Sequence, residues 1–424
     1  MEMGAGRLAA GTGRGTTPRG ETVMAEETAV IVVGAAVAGS AVANALGVRG
    51  IPTLVVERGF ERDNSTRGDF LHPPTLRFLE RWGVLDGLFR DGALPIYHLA
   101  VSHRTLGRLA TYDILTQGEG PASRTIAVPH DRIEAVMKAT AERWPSVTVV
   151  TGAVTGLLRQ DGRVAGVRAR AEDGQEREFR ARVVVGCDGA QSLVRRELGI
   201  ESARHPYDHY FVYIQADGPT DPPAAIHFCL DESGVMMVAS RPKNRMRIAM
   251  IAQRGAQNEL LRMNDRELYD YVTFRVPWLE GARFTHGDIH IYSIARSLAD
   301  RFWMPGAALV GDAAHTTHPA GATGMNLAIT GAARLVDHVA PVLTWAPDDL
   351  AALDAALHAY SAERRPAAGV ALERNHEQSR RIWTDNCHLD PYAYARNADP
   401  TSGWGAGGAG WGQDPAALMR SAGY

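Results

Sequence analysis

Apolar runs punctuated by glycine set the pattern of this chain. Val30 to Val33 is β-branched and apolar without alternation, as a parallel strand buried on both faces requires. Gly34 turns the chain, and Gly39, Ala43 and Leu46 follow at helix spacing up to Gly50. A second strand, Thr53 to Val56, ends in Glu57. The same strand, turn and helix succession returns at Arg182–Arg195, through Cys187-Asp188-Gly189, and at Ala307–Ile329, through Gly311-Asp312 and Gly324.

The segments between these units read differently. Pro73 and Pro74 fit a helix start and Gly83 its stop, and Pro129-His130 opens another helix. Short alternating stretches fill Ala93–Val128, and hairpin turns fall at Asp161-Gly162 and Asp173-Gly174. From residue 200 to 298, Tyr210–Ile214, Ala225–Leu230, Val235–Ala239 and Met246–Ile251 follow one another as strands without helices between them, which predicts an antiparallel sheet. Helices are expected over Leu327–Leu343 and Leu350–Val370.

The fold class is therefore α/β: a Rossmann-like nucleotide-binding domain with an inserted antiparallel-sheet domain. The expected division is a disordered N-terminal extension over 1–27 and a discontinuous nucleotide-binding domain over 28–92, 129–199 and 299–375. The inserted domain takes 93–128 and 200–298, and an irregular C-terminal tail with a Gly/Trp-rich run takes 376–424.

Gly34, Gly39 and Glu57 carry the first chemistry. A helix N-terminus after a glycine turn presents free N–H groups to a pyrophosphate, and an acidic residue about 20 positions on accepts ribose hydroxyls. Ala36 stands in place of the middle glycine of G-x-G-x-x-G, which predicts a hindered approach of the pyrophosphate and weak binding. Thr28–Val48 carries no charge and is long enough to span a bilayer, but its Ala, Gly and Ser content and the strand that follows favour the nucleotide unit. No stable membrane insertion is expected.

Composition narrows the partners. Against 45 Lys and Arg stand 48 Asp and Glu, a net charge of −3, so the chain has no basic field for nucleic acid. Cys187, Cys229 and Cys387 are too few and too scattered for a disulfide framework or a zinc site, which suits a cytoplasmic protein without a metal. Arg132 in the first turn of its helix opposes the dipole, so an anionic partner is expected there.

Three separated blocks, Gly34–Glu57, Cys187-Asp188-Gly189 with Ser192, Val194 and Arg195, and Gly311-Asp312 through His315, Pro319, Gly321, Gly324, Met325 and Asn326, stand in an order and spacing that resemble FAD-dependent aromatic hydroxylases. These are the single-component flavoprotein monooxygenases of the p-hydroxybenzoate hydroxylase type. The resemblance covers roughly residues 28 to 375 and makes the nucleotide domain a Rossmann-like FAD-binding domain and the inserted sheet a substrate domain. It implies FAD and NAD(P)H as cofactors, O2 as co-substrate and an aromatic or polyketide-like small molecule as substrate, hydroxylated through a flavin C4a-hydroperoxide. It assigns Gly34, Gly39, Glu57, Arg132, Asp188 and Asp312 to FAD, with the N–H groups of Gly324, Met325 and Asn326 at the flavin's pyrimidine edge; Arg58 and Arg67, in and beside the charged loop after Glu57, are further candidates for FAD, and a solvated loop charge is the alternative for Arg67. Pro319 is expected near the flavin face, and His227 and Tyr213 are candidate catalytic groups for ionising the substrate. A flavin-dependent reductase or oxidase of the same fold is the alternative. Oligomeric state is not legible.

Overall fold

The protein was analysed as a computed structural model, which describes residues 27–59, 68–114, 116, 118–218, 224–385 and 387–398. The expected N-terminal extension therefore falls, but for Glu27, outside the described residues. The first apolar run forms the strand Glu27–Val33, with every residue from Ala29 to Val33 buried. It lies between Thr53–Glu57 on one side and Glu176–Gly186 on the other, both parallel to it. Val147–Gln160 extends the parallel sheet beyond Thr53–Glu57, and Ala307–Leu309 extends it beyond Glu176–Gly186. The chain order across these five strands is third, second, first, fourth, fifth. The connection must reverse direction between Glu27–Val33 and Glu176–Gly186, and a crevice opens there at the carboxyl ends of the strands.

The helices Val37–Gly47, Thr323–Trp345 and Leu350–Ser379 pack beside this sheet and share its core. Val37–Gly47 is buried along its whole length, so the uncharged stretch Thr28–Val48 is a core strand and a core helix. Among the described residues no helix is long and apolar enough to cross a membrane. The second half of Val147–Gln160 and the first half of Glu176–Gly186 are bridged by the antiparallel strand Arg163–Ala171. At its first turn Asp161 and Gly162 both have positive φ (51° and 82°), the geometry that Asp-Gly favours in a two-residue hairpin.

The second layer is a sheet of eight strands. In order they are His315–Thr316, Arg283–Ala299, Ser202–Asp217, Arg245–Gln253, Gly234–Arg241, Ala225–Asp231, His98–His103 and Gly107–Asp113. All neighbours are antiparallel except Ala225–Asp231 and His98–His103. Strand pairing fixes which residues share a face. Tyr213 lies opposite Ala249, which lies opposite Met237, which lies opposite Phe228; Gln215 lies opposite Arg247. His227 pairs with Val238 and so belongs to the other face. A small sheet of Phe70–Leu71, Ile126–Ala127 and Leu94–Pro95 sits beside the two layers.

The stretch 376–398 corrects the expectation of an irregular tail. The helix begun at Leu350 continues to Ser379, a wider turn follows over Arg380–Thr384, and Pro391–Asn397 is helical. Ile382, Trp383, Tyr394 and Ala395 are buried in the core of the eight-stranded sheet. Large apolar side chains hold this segment in place, whereas the Gly/Trp-rich run beyond it lies outside the described residues.

On the outer side of that sheet, Asp231 and Arg275 form a buried two-pronged ion pair, with Nε–Oδ2 at 2.6 Å and Nη2–Oδ1 at 3.0 Å. Arg275→Met leaves a buried carboxylate without its counter-charge. A loss of about 3–5 kcal/mol of unfolding free energy is expected in urea titration, with much of it recovered by adding Asp231→Asn.

Candidate functional site

The crevice at the strand ends is a cleft of about 640 Å³, within the size range of small-molecule and cofactor sites. Backbone contact shapes it. A Cβ on Gly34, whose φ is +96°, would stand 2.6 Å from the carbonyl oxygen of Cys187, and one on Gly39 would stand 1.8 Å from the carbonyl oxygen of Gly34. A Cβ on Gly311 would press on the methyl of Ala38 at 2.7 Å. The first turn of Val37–Gly47 thus meets the cleft at backbone distance, with N–H groups that the helix itself cannot satisfy. Ala36 has φ −67° and ψ −169°, a conformation open to any residue, and its methyl forms part of the cleft wall. The local backbone does not require glycine there.

Glu57 lines the cleft and is fixed from both sides. Oε2 accepts the Ala35 N–H at 2.8 Å and Oε1 the Gly59 N–H at 3.1 Å. Arg58 lines the same cleft, and Arg67 lies outside the described residues.

Arg132 does not face the cleft. Its half-exposed guanidinium pairs with Asp91, through Nε to Oδ2 at 2.7 Å and through Nη2 to Oδ1. The anionic partner expected for it is this carboxylate, which the guanidinium holds below the usual carboxylate range. Instead His130 and Glu134, one turn apart on the same helix, line the cleft, with Nε2–Oε1 at 3.3 Å. His130 is buried and its Nδ1 has no hydrogen-bond partner in the protein. Helix phase explains the difference: Ile133 and Met137 enter the core, and the 130/134 edge is the one beside the cleft.

Asp188, at the end of Glu176–Gly186, lines the cleft while its carboxylate braces its own turn. Oδ1 accepts from the Ser192 hydroxyl at 2.5 Å and Oδ2 from the Val194 N–H at 3.1 Å. Arg195 ties this turn to the Gly311–Ala313 turn by donating to the carbonyls of Ala190 and Ala313, each at 2.8 Å. Asp312 is exposed on the cleft wall, and Gly324 and Met325 form the wall at the start of Thr323–Trp345. The Asn326 side chain turns the other way: Oδ1 accepts the His72 N–H at 2.9 Å, and Nδ2 donates to the carbonyls of Phe70 and Ala322.

A small cavity of about 20 Å³ lies against the inner face of the eight-stranded sheet, lined by Asp69, Phe211, Tyr213, Met237, Arg247, Pro319 and their neighbours. It holds about one water. Tyr213 is one of its walls, and burial pushes its phenol well above the ordinary range, so it stays protonated at neutral pH. His227 is not a wall. It stacks on Trp278 at 4.9 Å and contacts the Ser102 hydroxyl at 3.1 Å, on the face of the sheet turned from the cavity. Pairing register, which the sequence does not display, decides its side.

The sequence reading did not single out Asp69, Arg241 and Arg247. The three are almost wholly buried, with Asp69 Oδ1 at 3.3 Å from each guanidinium and Arg247 over the Tyr213 ring at 4.5 Å. Burial raises the Asp69 carboxyl above its usual range, against the pull of Arg247 and Arg241. The polar alternation Arg245-Met246-Arg247-Ile248 was the available signal. Among the described residues no cluster of His, Cys, Asp or Glu is arranged to hold a metal ion.

A family model described as FAD binding domain matches residues 27–375. The chain belongs to the FAD-dependent aromatic hydroxylase family. It is 28% identical over 338 residues to 6-methylpretetramide 4-monooxygenase of Streptomyces rimosus, covering 78% of each chain. It is 26% identical over 344 residues to an uncharacterized aromatic compound monooxygenase of Bacillus subtilis, covering 80% of this chain and 66% of that one. Against the 3-(3-hydroxy-phenyl)propionate/3-hydroxycinnamic acid hydroxylase of Burkholderia cenocepacia the chain spans 55% of the relative's length, at 27% identity and over 71% of its own. Among solved structures, P. aeruginosa PqsL in complex with 2-aminobenzoylacetate superposes with a TM-score of 0.75 at 25% identity, over 88% of this chain and all of that one. Aklavinone-11 hydroxylase with FAD and aklavinone shares the fold, with a TM-score of 0.70 at 20% identity over 86% of this chain and 70% of that one.

The geometry separates the two residues of the 129–141 segment. His130→Ala is expected to weaken FAD binding about fivefold, the worth of one hydrogen bond, in a flavin-fluorescence titration. Arg132→Ala leaves FAD affinity unchanged and costs only the ~0.2–1 kcal/mol of an exposed ion pair, and Ala36→Gly changes affinity by less than about twofold. A reversed order of the first two variants overturns the assignment.

Proposed function

We propose that the chain is an FAD- and NAD(P)H-dependent monooxygenase that inserts one oxygen atom of O2 into an aromatic or polyketide-like small molecule. The observation that carries this reading is the large cleft adjoining a small, enclosed, sheet-walled cavity at the loop 319–325. The cleft fits FAD by the backbone approach at Gly34 and Gly39, the fixed acceptors of Glu57, and the unpartnered buried Nδ1 of His130. The substrate class draws support from the relative named for 6-methylpretetramide and the neighbour solved with aklavinone.

Helix N–H groups beside Gly39 would hold the pyrophosphate, Glu57 the adenosine ribose and Asp312 the ribityl chain. The helix start at Gly324–Asn326 would face the flavin edge on which negative charge accumulates during reduction. Bound FAD, reduced by NAD(P)H, supplies oxygen activated from O2, which the protein has no side chain to generate. Phe70, Phe211, Met237 and Pro319 exclude water from the reacting atoms, a requirement for delivering oxygen to substrate instead of releasing hydrogen peroxide. Asp69 is the carboxylate placed to take a proton from a substrate hydroxyl, while Tyr213 donates a hydrogen bond.

Mass spectrometry of products formed under isotopically labelled O2 tests the reading. One labelled atom per product is expected, and an unlabelled product or NAD(P)H consumption without oxygen uptake points to the reductase or oxidase of the same fold. Asp69→Asn is expected to keep FAD bound and lose about 10²-fold or more in substrate-stimulated turnover, the usual scale of a lost general base.

A further inference from the structure

The 20 Å³ cavity has no room for an aromatic ring, so substrate enters only when a wall moves. Phe211, Tyr213, Met237 and Arg247 stand on strands of the large sheet. The remaining walls are Gly68–Phe70, which includes the start of the strand Phe70–Leu71, and the short turn Pro319–Gly321, closed by Ala322 at a φ of +49°, where a residue other than glycine is strained. The attachments of this turn therefore decide whether it stays shut.

One attachment is a pair of histidines outside the machinery described above. His318 is wholly buried, and its Nδ1 accepts the Ala320 N–H at 3.0 Å. A neutral ring that accepts at Nδ1 carries its proton on Nε2. That Nε2 lies 3.1 Å from Nε2 of His209 on Ser202–Asp217, so His209 must accept there and carry its proton on Nδ1. His318 also meets Phe211, a cavity wall, edge-on at 5.4 Å. One ring thus touches the turn, the sheet and the wall together.

We propose that His318 and His209 are positioning residues: a tautomer-locked pair that clasps the Pro319–Ala322 wall onto the sheet, and that opens when His209 gains a proton. A proton on His209 puts two N–H donors face to face at Nε2, where His318 already carries its own proton. The groups facing the pair are Tyr207 and Asp208 on its own strand and His376 and Glu373 from Leu350–Ser379, with Arg296 from Arg283–Ala299 and Arg380 and Asp385 beyond. Burial holds His318 well below the ordinary histidine range, and His209 and His376 add to this. Burial lowers His209 too, with Asp208 opposing. Because the folded state favours neutral rings, the contribution of the pair is complete above the ordinary histidine pKa of about 6.5 and is lost as pH falls below it.

The effect of the clasp on oxygen transfer rests on the monooxygenase reading; the clasp itself does not. Amide exchange of the FAD-loaded full chain, corrected for intrinsic pH dependence, is read on the peptide holding Ala320 at about pH 7.5 and about pH 5.5, either side of the histidine range. The wild type is expected to lose about tenfold in protection at the lower pH, the factor of one lost hydrogen bond. His209→Gln keeps an acceptor that does not titrate and stays protected at both, while His318→Phe is unprotected at both. Equal wild-type protection at the two pH values, or a His209→Gln profile that follows the wild type, overturns the proposal. Under the same conditions hydrogen peroxide released per NAD(P)H is expected to rise at the lower pH in the wild type only. If the exchange results hold but no aromatic compound stimulates NAD(P)H oxidation, the monooxygenase reading fails and the clasp stands.

Discussion

The approach of Gly34 to the Cys187 carbonyl is the contact on which the rest of this structure depends. At the ends of two neighbouring parallel strands there is no space for a methyl group; Gly39, in the first turn of Val37–Gly47, meets the Gly34 carbonyl in the same way, and Gly311 meets the methyl of Ala38. Three backbone segments therefore converge at a distance set by hydrogen atoms alone. The cleft is what remains when strand ends, helix start and the Gly311 turn are held this close, and Arg195 fixes two of the rims to each other. A site built of backbone in this way recognises phosphate and sugar by position more than by side-chain identity. Ala36 has dihedral angles open to any residue, so backbone conformation alone places no demand for glycine there.

Most of the architecture was legible because it follows from burial. Strands covered on both faces need continuous apolar residues, and Val30–Val33 and Val183–Val185 display them. Strands without intervening helices pair antiparallel, as those of 202–253 do. The cleft followed from the same signals, since Gly34, Glu57, Asp188, Asp312 and Gly324 stand at strand ends or helix starts.

The illegible part concerns side chains whose direction is set by a partner element. Whether His227 faces the cavity depends on pairing with Val238, and whether Arg132 or His130 meets the cleft depends on the angle at which a helix docks. The Asp69 cluster is harder still, because charge in a sequence reads as surface until three-dimensional pairing removes it from water. The buried segment 376–398 was hidden for a related reason: its few large apolar residues have no periodicity of their own, and only the sheet they cover gives them meaning.

That late segment bears on how the chain is made. His98–His103, an early strand, shares its core with Ile382, Trp383 and Tyr394, and the central parallel sheet waits for Ala307–Leu309. Neither layer is complete until these late segments have been made. Contacts this distant along the sequence form slowly and leave apolar strands uncovered meanwhile. The two layers are thus interlocked in time as well as in space, and the sheet that walls the cavity gains the cover of Ile382, Trp383 and Tyr394 only after its own strands have been made.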